Sequence, residues 1–336
     1  MSTDATTELD TAIAALRRET RWIAIPGLLL TYALLAVALV SPLFVASNWI
    51  YALLWPLIGI LQYRVVISGH EAVHFTLCPS KTLNELFGVV GQSLVGVNFA
   101  AYRLQHLDHH RARDLASDPD GHIYGGIINT PRGWRRTAVW TLGTFAEILI
   151  KIRQKGTGGY GTQKEQTPAQ VRQRWRHTLY VVLSQLSLVG LTGYIAAFHG
   201  GVLLHTLEPH TEWMRLLAWL VLGYALLWVG PLFTVAVFLN RSRILVEHGL
   251  AMLVAREQSE DFTGLRIPTV DIVPNWLERI VFSPFLFNYH CCHHLFMSVP
   301  HYNLPKLRAL CQKHGVRGYH EVQGSYITAL SRTMSV

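Results

Sequence analysis

Charged residues are scarce in this sequence of 336 amino acids, where Asp, Glu, Lys and Arg together make up 15% against about 25% in ordinary soluble domains. The stretch 22–63 contains none of them. As a helix it would extend about 63 Å, roughly twice the hydrocarbon thickness of a bilayer. Two more uncharged runs are each long enough to cross once. The sequence therefore predicts an all-α integral membrane protein with four transmembrane helices, at about 22–42, 48–68, 178–198 and 216–239.

Basic residues are unevenly distributed between the connecting segments, and this predicts the orientation in the membrane. Three arginines end the polar segment 1–21, thirteen Lys or Arg lie between Arg103 and Arg176, and ten more follow from Arg241 onward. The loop 200–214 contains only acidic charges. By the positive-inside rule, both termini and the long middle loop are cytoplasmic. We expect a cytoplasmic N-terminal segment, 1–21, and a single membrane-embedded domain, 22–336, in a bacterial inner membrane.

Cysteine is also rare, and the composition excludes two classes of protein. Cys78, Cys291, Cys292 and Cys311 all fall in segments assigned to the cytoplasm, where disulfides are disfavoured, so a disulfide-stapled secreted protein is excluded. The net charge is +8. No recognition motif for nucleic acid accompanies this charge, so we expect no nucleic-acid partner. Basic cytoplasmic loops instead indicate contact with anionic lipid headgroups.

One uncharged segment, 86–102, is borderline for a fifth span at seventeen residues. It contains three glycines together with Gln92 and Asn98. If it crossed, the basic loop that starts at Arg103 would face outward, against the charge bias. We therefore expect it to be re-entrant or interfacial.

Histidine, by contrast, is abundant, with 17 residues, and much of it occurs in three clusters: HEAVH (70–74), HLDHH (106–110) and HCCHH (290–294). On a helix, positions i, i+3 and i+4 share a face, so each cluster is expected to aim its imidazoles at one place. A lone histidine in an apolar protein is more often a core residue than a ligand, but three such clusters indicate a metal site. The candidate ligands are His70, His74, His106, His109, His110, His290, His293 and His294.

The number of histidines bears on the kind of metal. HEAVH alone is typical of a zinc protease, in which Glu71 would be the general base. An intramembrane protease could take a further ligand from DPDG (118–121), but both HxxHH clusters would then have no role. Eight histidines are too many for one zinc, which takes three protein ligands in a catalytic site. Two metal ions with four or five nitrogen ligands each would use them all, and such sites suit iron in oxygen chemistry.

The three clusters, in this order, resemble the histidine boxes of the membrane fatty-acid desaturase superfamily, which includes hydroxylases and carotenoid ketolases. HHRARDLASDPDG (109–121) and NYHCCHHLFMSVPHYNLPKL (288–307) extend the resemblance beyond the boxes. It covers most of the chain from Trp22 to about Leu310. The resemblance implies two non-haem irons, held by histidines in a cytoplasmic helical cap above the four spans.

Members of this superfamily often use one more histidine after the last span, and His248 stands in the matching region. Some carry an asparagine four residues earlier, where this chain has Ile244. Glu247 and Asn288 are candidates to take its place. The thiols of Cys291 and Cys292 are expected to pack against neighbouring helices and not to bind metal. This is because positions one and two after His290 face away from the other histidines.

Acidic residues near the boxes have two alternative roles. A ligating imidazole normally donates its second N–H to a carboxylate or carbonyl, which fixes its orientation. Glu71, Asp108, Asp118 and Asp120 are candidates for that role. Alternatively, DPDG is only a turn whose aspartates cap a helix.

The resemblance implies an O2-dependent oxidoreductase that introduces a double bond into a fatty acyl chain. A hydroxylase or ketolase that acts on a fatty acid, a carotenoid or another apolar substrate is the alternative. No electron carrier is fused to the chain, so we expect an external donor of the ferredoxin, rubredoxin or cytochrome b5 type. Such a donor would dock on the basic cytoplasmic face.

Overall fold

A computed structural model describes residues 3–45, 47–156, 166–201, 212–258 and 267–335, so the loop 200–214 lies mostly outside the described residues. Within these ranges the regular structure is nearly all helical. The helices are α1 (Thr3–Arg18), α2 (Ala24–Val40), α3 (Trp49–Val73), α4 (Lys81–Leu94), α5 (Phe99–His109), α6 (Gly121–Ile128), α7 (Trp134–Gly156), α8 (Pro168–Gly201), α9 (Glu212–Tyr224), α10 (Val237–Ile244), α11 (Ala251–Gln258), α12 (Trp276–Phe282), α13 (His290–Leu295), α14 (Leu304–His314) and α15 (Tyr326–Ser335). The strands β1 (Asp271–Ile272) and β2 (Glu321–Val322) pair in parallel.

Four helical stretches are long and apolar enough to cross a membrane, which confirms the predicted number of transmembrane helices. Two of them continue, at their C-terminal ends, well beyond the uncharged runs. The second span continues to Val73 and the fourth to Arg256, so His70 and His248 lie on continuations of membrane helices. The stretches are Ala24–Leu43, Trp49–Val73, Pro168–His199 and Trp213–Arg256.

Wide π turns interrupt the fourth span between α9 and α11. They occur at Ala225–Val229, Leu232–Ala236 and Leu245–Leu250. Single π turns inside helices often occur at functional sites, because they change the direction of the side chains that follow. The last of the three carries His248.

The borderline segment 86–102 is divided between two helices and forms a hairpin against α3. Gly96 adopts a positive φ of 75° at the turn, and the side chain of Asn98 caps α5. The two helices approach closely, since a Cβ on Gly88 would lie 2.2 Å from the ring of Phe99. The hairpin returns the chain toward α3 and so places HLDHH beside HEAVH. That the segment is re-entrant or interfacial in the bilayer stays a prediction.

Side chains from the third and fourth spans satisfy the carbonyl groups at the end of α4. Gln185 Nε2 donates to the carbonyl oxygens of Ser93, at 2.6 Å, and Leu94, at 2.9 Å. Trp228 Nε1 also donates to the Leu94 carbonyl oxygen, at 3.0 Å. Unpaired carbonyl groups are costly in apolar surroundings, so these bonds hold the hairpin in the bundle.

The polypeptide beyond the fourth span folds back over the ends of the helices. The β1–β2 pair links the region before α13 to the region before α15. Leu9, Ile13 and Leu16 of α1 belong to the same apolar cluster as Leu304 and Leu307 of α14. The N-terminal helix is therefore packed against the segment that follows HCCHH.

Candidate metal centre

Nine histidines meet at one end of the bundle and form two buried groups. In each group, one candidate ligand atom per residue lies within 4.8 Å of all the others. The first group contains His70, His74, His106, His110 and His293. The second group contains His109, His248, His290 and His294. The structure thus brings together every histidine that the sequence singled out, including His248.

Two of the three clusters divide their histidines between the groups, so the expectation that each cluster aims at one place is wrong. In HLDHH, His106 and His110 belong to the first group and His109 to the second. In HCCHH, the first and last histidines belong to the second group and His293 belongs to the first. Successive helical residues are about 100° apart, so i and i+4 differ by about 40° while i+3 lies about 60° to the other side. Each HxxHH cluster therefore bridges the two groups.

The imidazole nitrogens of the first group converge. His106 Nε2 lies 2.9 Å from His74 Nε2 and 3.0 Å from His110 Nε2, and His293 Nε2 lies 3.2 Å from His110 Nε2. A neutral imidazole has only one N–H, so converging nitrogens cannot all be satisfied by one another. A shared cation would accept a lone pair from each of them.

The second group shows the same convergence, with His248 Nε2 lying 2.9 Å from His290 Nε2. The buried Nε2 atoms of His70 and His294 have no hydrogen-bond partner. Four or five imidazoles per group, with no thiolate, fit iron better than tetrahedral zinc.

Burial sets the charge state of most of these side chains. It lowers the pKa of His74 to about 4 and the pKa of His293 to about 3. Burial, reinforced by neighbouring histidines, also lowers the pKa well below the usual range in His106, His110, His290 and His294. These imidazoles are therefore neutral at pH 7, which is the form that binds a metal ion.

Asp118 orients His109. His109 Nδ1 donates to Asp118 Oδ1 at 2.7 Å, so in the neutral imidazole the Nε2 atom is the unprotonated one. Burial would lower the pKa of His109, but the hydrogen bond and the charge of Asp118 outweigh it and raise that pKa. Tyr124 donates to Asp118 Oδ2 at 2.7 Å, and the backbone N–H of Asp120 donates to Asp118 Oδ1 at 2.8 Å. Asp118 thus orients a histidine and also stabilises the turn, whereas the expected capping is wrong, because Asp120 at the N-cap of α6 makes no side-chain capping bond.

Asp108 and Asp120 make other contacts. Asp108 pairs with Arg111 at 3.3 Å on the surface, and Asp120 accepts a hydrogen bond from Gln105 at 2.7 Å. For these two residues the proposed role in orienting a histidine is wrong.

Asparagine in place of Asp118 should weaken metal binding about 10–100-fold, because the amide carries no charge to orient and polarise His109. Competition between the protein and a chelator for Fe(II) measures this loss. The matched control is Asp108→Asn, which should bind Fe(II) as the wild type does. Equal affinity in both variants would contradict the assigned role of Asp118.

Glu71 orients His70 and links it to a histidine that the sequence did not single out. His70 Nδ1 lies 3.1 Å from Glu71 Oε1, and Thr76 Oγ1 donates to Glu71 Oε2 at 2.8 Å. His301 Nδ1 lies 3.2 Å from Glu71 Oε2. The contact agrees with the role that the sequence suggested for Glu71. His301 lies in the VPHYN segment that follows HCCHH. Its position close to the third cluster is the one signal in the sequence that could have indicated it.

Glu247 occupies the space behind His290. It forms a buried ion pair with Arg243, accepts a hydrogen bond from Tyr326 Oη at 2.9 Å and lies 3.6 Å from His290 Nδ1. Arg243 also lies over the ring of Phe287, 4.2 Å from its centroid. A buried carboxylate therefore stands close to a candidate ligand, and the suggestion that Glu247 takes the place of the asparagine stays a prediction.

Asn288 was the other candidate to take the place of the asparagine. It faces a different part of the chain, where its Nδ2 donates to the Ile272 carbonyl oxygen at 3.0 Å.

The two cysteines of HCCHH face away from both groups. The backbone N–H groups of Cys291 and Cys292 donate to Asp271 Oδ1, at 2.7 and 3.1 Å. Cys292 Sγ lies 3.1 Å from Asp271 Oδ2. Burial raises the pKa of the Cys291 thiol, and the hydrogen bond with the Cys311 thiol, followed by burial, raises the pKa of the Cys292 thiol. Protonated thiols are poor metal ligands, which agrees with a packing role.

Residues 47–321 match the family described as fatty acid desaturase. The chain belongs to the fatty acid desaturase family. The match contains all three histidine clusters and His248, and it confirms the resemblance that the sequence suggested. The chain is therefore a membrane protein with four apolar membrane-length helices and an oxidoreductase of the fatty acid desaturase kind.

Several curated desaturases are similar to this chain at low sequence identity. Dihydrorhizobitoxine desaturase from Bradyrhizobium elkanii is 24% identical over 302 residues, which are 88% of this chain and 76% of that protein. An sn-1 acyl-lipid omega-3 desaturase (ferredoxin) from Nostoc sp. (strain 36) is 21% identical over 266 residues, 77% of this chain and 67% of that protein. A Delta(8)-fatty-acid desaturase from Helianthus annuus is 28% identical over 89 residues, 26% of this chain, and the match spans 19% of the relative's length.

Proposed function

We propose that this protein is an O2-dependent di-iron desaturase that introduces a double bond into a fatty acyl chain with electrons from a separate carrier. The observation that carries the proposal is the convergence of nine buried imidazoles into two adjacent groups at the end of the membrane helices. The reaction consumes O2, two electrons and two protons. It removes two hydrogens from adjacent carbons and yields two molecules of water.

The residues of the chain would hold and orient the metals. The nine histidines would bind two irons, which supply O2 reduction and C–H oxidation when bound. Glu71 and Asp118 accept hydrogen bonds from the Nδ1 atoms of His70 and His109. These bonds direct the Nε2 atoms of the two histidines into the groups. All nine imidazoles except that of His74 are buried, which excludes bulk water from the reacting region.

Mass spectrometry of lipids from cells that express the chain tests the reaction. A fatty acyl chain that is lighter by two hydrogens supports the desaturase. The matched control is the same chain with His110→Ala. A product with one added oxygen would overturn the proposal in favour of the hydroxylase or ketolase, which has the same metal requirement.

Metal analysis of the purified protein tests the centre separately. Two irons per chain are expected. A single zinc would instead support an HExxH intramembrane protease.

We also propose that the centre faces the cytoplasm and that an acidic donor of the ferredoxin, rubredoxin or cytochrome b5 type docks beside it. Arg111, Arg113, Arg132 and Arg135 are exposed on the segments around α5 and α6 and supply positive charge there. Opposite charges accelerate encounter between proteins, and salt screens them over about 8–10 Å.

The rate of electron delivery should therefore fall as ionic strength rises. Stopped-flow oxidation of the reduced donor, measured from low to high salt, checks this. Arg132→Glu together with Arg135→Glu should remove much of the salt dependence, while Lys313→Glu on α14 should not. A rate that does not change with salt would contradict the docking proposal.

A further inference from the structure

Helix α12 exposes several apolar side chains although its one buried residue is acidic. That residue is Glu278, which is 4% exposed and whose carboxylate accepts hydrogen bonds from the backbone N–H groups of Asn275 and Ile327. Trp276 is 74% exposed and Leu277 is 55% exposed, whereas the last two residues of the helix pack against the core. A helix beside water usually buries its apolar residues. The exposed apolar side chains therefore indicate an apolar medium outside this part of α12.

The exposed apolar surface extends beyond this helix. Ile280 is 49% exposed, and Ile327, at the start of α15, is 66% exposed. The bond from the Ile327 N–H to Glu278 Oε1, at 3.1 Å, joins α15 to α12. Contiguous exposed patches of this kind mark sites that meet a membrane or a partner. We call the surface of Trp276, Leu277, Ile280 and Ile327 the α12 face.

Contacts at the end of α12 show its level relative to the membrane helices. Tyr63 Oη donates to the carbonyl oxygen of Phe282, the last residue of α12, at 2.7 Å. Tyr63 lies in the second span, ten residues before its end at Val73, which is about 15 Å along the helix axis. The next residue, Arg64, donates to Thr31 Oγ1 in the first span at 3.3 Å. The end of α12 is therefore level with residues inside two membrane helices.

An arginine one residue from this contact is consistent with a boundary between lipid and water. Arg64 lies over the ring of Phe285, 5.9 Å from the centroid, in the segment after α12. Arginines near the ends of membrane helices extend their guanidinium groups toward the headgroups, where tryptophans are also enriched. Arg279, which is exposed on α12, supplies a second positive charge for lipid phosphates.

We propose that the α12 face is inserted into the lipid interface of the leaflet nearest the histidine groups. The occupant is lipid, because the end of α12 lies at the level of Tyr63 and Arg64, which belong to the second span. Only seven residues separate Phe282 from His290. The inserted helix would thus hold the third histidine cluster close to the bilayer. This inference does not depend on which reaction the centre performs.

Spin labels on single introduced cysteines test the proposal in the full chain, reconstituted in phosphatidylcholine–phosphatidylglycerol vesicles. The native cysteines are all buried, so an exposed new cysteine reacts selectively, and unmodified protein gives the background. The labelled positions are Leu277→Cys and, as an independent reporter, Ile327→Cys. Leu186→Cys, on the exposed apolar face of the third span, is the lipid control, and Lys306→Cys, on exposed α14, is the water control.

The measurement compares collisions of each label with O2, which concentrates in lipid, and with a water-soluble nickel chelate. The quantity compared is the logarithm of the ratio of the two collision rates, with O2 and with the nickel chelate. For both reporters we expect this logarithm to have the same sign as for the Leu186→Cys control. The sign of the Lys306→Cys control would overturn the proposal. Low accessibility to both reagents, with spin–spin broadening that vanishes on dilution with unlabelled protein, would show that a second copy covers the face and would also overturn it.

Discussion

Alanine in place of His293 should abolish desaturation while the protein still inserts into the membrane. His293 is 4% exposed, and its Nε2 lies among the nitrogens of the first group, 3.2 Å from His110 Nε2. Its loss would remove one of the five imidazoles that we propose hold one metal ion. Lipid analysis should show no unsaturated product, and bound iron should fall from two per chain toward one.

The control for this experiment is a histidine of the same cap outside both groups. His314 ends α14, and alanine at that position should leave iron content and product unchanged. His110→Ala should behave as His293→Ala does, because it belongs to the same group. Full iron content and normal product in His293→Ala would remove this residue from the ligand set.

Leucine in place of Glu247 should destabilise the protein by about 3–5 kcal/mol, since it leaves a buried cation without its carboxylate. Arg243 and Glu247 are 5% and 0% exposed and form an ion pair one turn apart. Asn240 Oδ1, which accepts from Arg243 at 3.1 Å, would remain but carries no negative charge to balance the guanidinium group. The free energy of unfolding of the metal-free protein in detergent measures the loss without a contribution from iron.

Removal of both charges, of Arg243 and Glu247, should destabilise the protein less than removal of the Glu247 charge alone. The variant with Arg243→Met and Glu247→Leu keeps apolar volume and leaves no buried charge, so its stability should lie closer to wild type than that of Glu247→Leu. The exposed pair of Lys313 and Glu8 is the matched control, and Glu8→Leu should leave unfolding unchanged. Losses that add up in the double variant would show that the two charges do not stabilise each other.

The sequence predicted the span number and the candidate ligands because both depend on local patterns. An uncharged run such as 178–198 indicates a span by its length alone. His70 and His74 are one turn apart, and this spacing places them in the same group. The division of HLDHH between the two groups could also have been predicted from helical geometry, because successive residues such as His109 and His110 are about 100° apart.

Two residues around the ligands, His301 and Tyr326, could not be predicted, because their contacts join distant parts of the chain. His301 meets Glu71 across 230 positions. Tyr326 meets Glu247 across 79. Neither pair has a spacing that relates its members, and only packing of the segments brings them together. Asp118 was within reach because it lies nine residues after His109 in the same turn region.

The division of each HxxHH cluster has a consequence for assembly of the centre. Neighbouring residues on α13, His293 and His294, serve different groups, so rotation of this helix displaces both sets of nitrogens at once. If each group held one ion, both ions would share ligands from this single helical turn. Occupation of either position would fix the orientation of α13 and prepare the other one, so a titration with ferrous ion should fill the pair cooperatively.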